Sequence, residues 1–175
     1  QGTYRFAPPP PLLPMSRLLP FLHHGLGPIK TAGWIDFSRL TRQIAQGKSI
    51  RRLPHVQQRR WPQRLHIIVD TRMSLETFWS AFAFIISQLK KWLGADAVTV
   101  IRFDEATFGE PQMHAIAWPT KPHDRWFIWH VPAPEESLLI LSDLGMTEAH
   151  SGVRHHWQQF FQRLRLHPAP ILTLS

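Results

Sequence analysis

The stretch Leu65-His66-Ile67-Ile68-Val69-Asp70-Thr71-Arg72-Met73-Ser74 decides how this chain folds. Its first five residues are apolar apart from His66, with β-branched side chains at successive positions and no polar alternation. That is the pattern of a strand buried on both faces, which belongs to a parallel sheet covered by helices. Asp70 closes the run. Ser74 is expected to open a helix, with Thr77 at the place of the ideal capping Glu. The helix is predicted to continue through Phe78, Phe82, Ile85, Ile86, Leu89 and Trp92 and to stop at Gly94.

Similar units follow downstream. Ala97 to Phe103 reads as a second strand, built on Val98, Val100 and Ile101. Gln112 to Trp118 reads as a strand bracketed by Pro111 and Pro119, which assigns it to an edge. Trp126, Phe127, Ile128 and Trp129 are too apolar for a free loop and are expected to dock on the body. Leu138 to Leu141 is a further buried strand, ending in Ser142-Asp143. Val153 to Leu166 carries Trp157, Phe160, Phe161 and Leu164 at helical spacing, and Pro170 to Leu174 supplies the last strand. This order predicts an α/β fold: an open, mainly parallel, Rossmann-like sheet with helices on both faces.

Upstream the composition changes. Residues 1–64 carry eleven Lys/Arg against the single acid Asp36, a net of +10, whereas residues 65–175 carry nine against eleven, a net of −2. The same first third holds the run Pro8 to Pro11 with Pro14, Pro20, Pro28, Pro54 and Pro62. Proline fixes φ and removes a donor. The expected division is therefore a basic Pro-rich extension over 1–64 and an α/β domain over 65–175. Within the extension, 1–33 reads as an extended arm with at most one turn of helix near Ser16 to His24. One short helix is expected at about 36–46, capped by Asp36 or Ser38, lined by Phe37, Leu40, Thr41 and Ile44, and stopped by Gly47.

Hydrophobic residues form 43% of the 175, enough for a buried core. Cysteine is absent, which removes disulfides, thiolate metal sites and a Cys nucleophile, and fits a cytoplasmic location. The longest apolar run, Phe78 to Ile86, is too short to span a bilayer, so no membrane partner is expected. No secretory signal is visible, and a chain that starts at Gln1 is expected to be part of a longer protein.

In open parallel sheets the functional crevice lies beyond the carboxyl ends of the strands. Asp70 and Asp143 each follow a buried strand, so both are expected at that rim, with Asp104 and Glu105 nearby at the end of the second strand. One such acid alone is usually a turn or cap residue. Two on neighbouring strands repel unless a cation or donors intervene.

These residues resemble a known family. Leu65 to Ser74 is similar to the first strand and metal-site loop of a von Willebrand factor A-type domain, which normally reads Asp-x-Ser-x-Ser. Leu138-Leu139-Ile140-Leu141-Ser142-Asp143-Leu144-Gly145 resembles its fourth strand, which typically closes with Ser-Asp-Gly. The resemblance covers about residues 65–175 and implies a Mg²⁺ site through Asp70, Ser74 and Asp143, with a partner protein often adding an acidic oxygen. Two departures make that site degenerate. Arg72 stands in place of the first serine, and no Thr fits the second motif, Thr107 and Thr120 being poorly placed. At 4 Å and moderate screening an arginine repels each unit of ionic charge by about 4 kcal/mol, so Arg72 is a candidate to pair with the acids instead. No resident cofactor is expected, Mg²⁺ being the one candidate. Arg51-Arg52-Leu53-Pro54 and Arg59-Arg60-Trp61-Pro62 resemble the lead-in to divergent A-type domains of bacterial multi-component systems, which implies an AAA+ ATPase or effector subunit as partner.

Other signals carry less. Gly47-Lys48-Ser49 imitates a phosphate loop but has Arg42 where the first glycine belongs. The pairs His23-His24 and His155-His156 lack i, i+4 metal spacing. Ser142 sits in no nucleophile elbow. Trp118, Trp126 and Trp129 are candidates for an exposed partner patch. The preferred expectation is thus a non-catalytic interaction domain that binds a partner through Asp70, Arg72, Ser74 and Asp143. A Mg²⁺-dependent phosphodiesterase or nuclease using Asp70, Asp104, Glu105 and Asp143 is the runner-up. A nucleic-acid module using the strip Arg51, Arg52, Arg59, Arg60 and Arg64 is third.

Overall fold

The computed structural model describes residues 14–103, 114–115, 118, 127–146, 152–165 and 168–174. In chain order the elements are α1 (Met15–Leu26), β1 (Ile29–Ile35), α2 (Phe37–Ala45), β2 (His55–Arg59), β3 (Leu65–Asp70), α3 (Trp79–Leu93), β4 (Val98–Phe103), β5 (His114–Ala115), β6 (Phe127–Ile128), β7 (Ser137–Leu141), α4 (Gly152–Leu164) and β8 (Ile171–Leu174). Short 3-10 turns at Met73–Phe78 and Ala95–Ala97 flank α3.

Four of the strands form one parallel sheet in the order β4-β3-β7-β8. The centre is occupied by the unbroken apolar runs of β3 and β7, as strands covered on both faces must be. Successive side chains take opposite faces. Leu65, Ile67 and Val69 of β3 join Leu139 and Leu141 of β7 on the face covered by α1 and α3, through Leu18, Leu22, Leu26, Phe82, Ile86 and Leu89. Ile68, Leu138 and Ile140 face the other way, onto Val153, Trp157, Phe160 and Leu164 of α4 and onto Trp129. The expected α/β sheet with helices on both faces is therefore present. No helix among the described residues is long and apolar enough to cross a membrane.

The expected extended arm is corrected. Met15–Leu26 is a helix of 12 residues that contains Pro20. Pro20 removes one helical donor. Leu18, Leu22 and Leu26, at i, i+4 and i+8, are buried in the same core as β3, and that burial outweighs the local cost. Gly27, just past α1, has no room for a side chain: a Cβ would stand 2.5 Å from the His23 carbonyl and 3.0 Å from that of Arg60. The Ser137 hydroxyl donates to the Leu26 carbonyl at 2.6 Å, tying the end of α1 to β7.

The helix expected at about 36–46 is α2. Asp36 caps it by accepting from the Arg39 amide at 2.9 Å, and Gly47 ends it at φ 64°. Its apolar face is largely uncovered: no residue of α2 is fully buried, Leu40 is half-buried, and Phe37 and Ile44 are exposed. β1 and β2 pair antiparallel as a separate two-stranded sheet. The helix expected from Ser74 begins instead with the 3-10 turn and becomes α-helical only at Trp79. Of the expected edge strand at 112–118, His114–Ala115 pairs with Phe127–Ile128, and the Trp118 amide donates to the Val100 carbonyl at 3.2 Å. Residues 112, 113, 116 and 117 lie outside the described residues.

Candidate functional site

Within the sheet the connection from β3 runs to β4 on one side, while β7 runs to β8 on the other. The switch point of the sheet is thus the gap between β3 and β7, where ligands of such folds enter. Asp70 and Asp143 end at that gap. In the β3/β7 register Val69 lies opposite Leu141, so the next pair is Asp70 and Ser142. The Ser142 hydroxyl donates to Asp70 Oδ2 at 2.6 Å and accepts from the Leu144 amide at 2.8 Å.

Arg72 curls back over the strand end. Its amide donates to Asp70 Oδ1 at 3.2 Å; its Nε reaches Oδ1 at 2.9 Å and Oδ2 at 3.1 Å; its Nη2 reaches Oδ2 at 2.8 Å. The same Nη2 donates to Asp143 Oδ1 at 2.5 Å. One guanidinium therefore joins both acids, in the planar forked geometry that arginine offers to carboxylates. Asp70 is fully buried, and the Arg72 and Asp143 side chains are each 12% exposed. Asp143 Oδ1 also accepts from the Gly145 amide at 2.9 Å. That turn needs left-handed backbone at Leu144 (φ 56°) and Gly145 (φ 76°). Leu144 thus holds a conformation that glycine favours.

The arrangement does not fit a metal ion. Both Asp70 oxygens are engaged by Arg72, and the guanidinium occupies the space between Asp70 and Asp143 that a bridging cation requires. Ser74 lies exposed in the 3-10 turn that follows Arg72. Of the sequence-derived site, the structure brings together Asp70, Arg72 and Asp143 and adds Ser142, whose proximity depends on strand register. Asp104, Glu105, Thr107 and Thr120 lie outside the described residues.

The five arginines of the basic strip differ in setting. Arg51, Arg52 and Arg60 are exposed. Arg59 Nη1 donates to the His24 and Gly27 carbonyls at 2.7 and 3.1 Å and so caps the C-terminal end of α1. Arg64 stands 3.9 Å from Glu136. Of the tryptophans expected in a partner patch, Trp129 is buried, Trp118 packs partly buried against the core, and Trp126 lies outside the described residues.

Two methionines adjoin the arginine bridge in the chain. Met73, directly after Arg72, is 72% exposed, and Met146, whose amide donates to the Asp143 carbonyl, is 71% exposed. They rise from the two loops that Arg72 joins. Phe78 is exposed further along the same β3–α3 connection.

At the opposite end of β3 lies a cluster that the sequence reading did not single out. Trp129 Nε1 donates to His66 Nδ1 at 3.1 Å, and His66 Nε2 meets Glu136 Oε2 at 3.2 Å. An indole only donates, so Nδ1 is the acceptor and Nε2 carries the proton toward Glu136. Burial pushes the His66 pKa below its ordinary value, against the opposing pull of Glu136. The signal available beforehand was an imidazole inside an otherwise apolar strand.

Comparison with protein-family models, with curated proteins and with solved structures finds no match to this chain.

Proposed function

We propose that this chain is a non-catalytic protein-interaction domain that docks a partner on the strand-end crevice between β3 and β7. The observation that carries this reading is the pairing of both crevice acids with Arg72, together with an exposed methionine on each of the two loops so joined. A general base or a metal ligand needs a carboxylate whose oxygens are available to substrate or ion. Asp70 has its oxygens committed within the fold. Methionine is flexible and polarisable, and exposed apolar side chains around a rigid centre suit protein docking. The resemblance to A-type domains adds support, since these also engage partners at this end of the sheet. It makes an AAA+ ATPase or an effector subunit of a multi-component system the first partner to test.

The test uses the full chain and a partner recovered with it from source cells, then purified and titrated. Replacing Met73 and Met146 with Glu is expected to weaken that partner by more than tenfold, while Arg51→Glu with Arg52→Glu leaves it within about twofold. The opposite pattern, with loss only on reversal of the arginines, overturns the strand-end reading and points to an anionic ligand on the β1–α2–β2 segment.

A further inference from the structure

We propose that Arg72 is a built-in cation: it stands permanently where a divalent ion would bridge the strand ends, and it makes this crevice independent of metal. Two carboxylates from neighbouring strands point into one small space, and one of them, Asp70, is fully buried. Such a pair is unstable without positive charge between its members. Elsewhere hard cations fill this need with six or more oxygen contacts. Here the positive charge is attached to the chain two residues after Asp70, with three side-chain contacts to that carboxylate and one to Asp143.

The neighbouring groups complete the hold of the arginine on the two acids. The Ser142 hydroxyl donates its proton to Asp70 Oδ2 and fixes that carboxylate beneath the guanidinium. Its oxygen is turned toward the Leu144 amide. Asp143 Oδ1 is shared between Arg72 and the Gly145 amide, so the β7 loop is held to the β3 loop through a side chain. An ion that exchanges with solvent lets a loop switch with metal supply; a tethered guanidinium holds one arrangement at all times. This inference does not depend on the docking reading, because it is read from the free chain.

Thermal unfolding and Mn²⁺ electron paramagnetic resonance test it. Wild type is expected to melt at the same temperature in EDTA and in millimolar MgCl₂ or MnCl₂, and to show no ordered Mn²⁺ site. Arg72→Ser is expected to melt roughly 10 °C lower in EDTA, to regain part of that loss in MnCl₂, and to show one ordered Mn²⁺ site that Asp143→Ala removes. A wild-type melting temperature that rises with divalent ion and loses that rise in Asp143→Ala overturns the proposal. So does an Arg72→Ser protein as stable as wild type in EDTA, or one that no divalent ion stabilises. Should Arg72→Ser fail to fold in any buffer, Asp70→Asn combined with Arg72→Met decides, since it removes the buried charge and its counter-ion together. A double variant that folds supports the counter-ion role, and one that fails like the single variant overturns it.

Discussion

The buried carboxylate of Asp70 shows how far single residues carry the inference. Its position was legible, because an acid that ends an apolar run must lie at the rim of a sheet. Arg72 was legible as an intruder in a metal-loop pattern. The hydrogen bond from Ser142 was not, because it depends on how β7 slides along β3, and a one-residue shift would have placed Leu141 or Asp143 beside Asp70. His66 belongs to this scale as well. Its Nδ1 already accepts from Trp129, so a proton can be added only by breaking that bond, and burial opposes the charge. The folded-state pKa lies below that of the unfolded chain, about 6.5. Above that value both states are neutral at His66 and it contributes no pH dependence. Below it the unfolded chain takes up a proton that the fold refuses, so stability falls with pH by up to about 1.4 kcal/mol per unit until the folded pKa is passed. Urea unfolding at about pH 7.5 and about pH 5.5 is expected to show a larger loss for wild type than for His66→Gln. Equal losses would remove His66 from the acid response.

Helices α1 and α2 show why amphipathic spacing alone does not decide burial. Both carry apolar residues at helical intervals, and the proline content of the first argued against more than one turn of helix. Yet α1 packs on β7 and β8 and contributes Leu18, Leu22 and Leu26 to the core, while no residue of α2 is fully buried. The difference lies in what each helix meets, which periodicity does not encode. Leu22 is fully buried, so Leu22→Ala is expected to cost about 2–5 kcal/mol. Ile44→Ala on α2 is expected to stay within about 0.5 kcal/mol. Denaturant midpoints for the two variants check both values, and a large effect at Ile44 would show that α2 is covered in solution.

For the molecule as a whole, charge and fold divide the chain at different places. The change from basic to acidic composition falls near residue 64, but the hydrophobic core extends across it, because α1 covers the same sheet face as α3. A chain beginning at Leu65 would leave that face of β3 and β7 open to water. It is expected to lose the cooperative thermal transition of the full chain and to bind the dye ANS. A sharp melt at an unchanged temperature would show that 65–175 folds alone. For the same reason, the basic segment is better tested by reversing Arg51 and Arg52 than by removing it.

By itself the sequence determined the parallel α/β class, because unbroken apolar strands ending in acids and separated by amphipathic helices have few other ways to bury their surface. It also led to the expectation that the two strand-end acids, as neighbours, would need a cation or donors between them. Only the tertiary structure decided that Arg72 meets that need, that Ser142 lies beside Asp70, and that a proline-containing helix closes the core. Each of those depends on strand register or on packing between segments distant in the chain, and local residue preferences do not specify either.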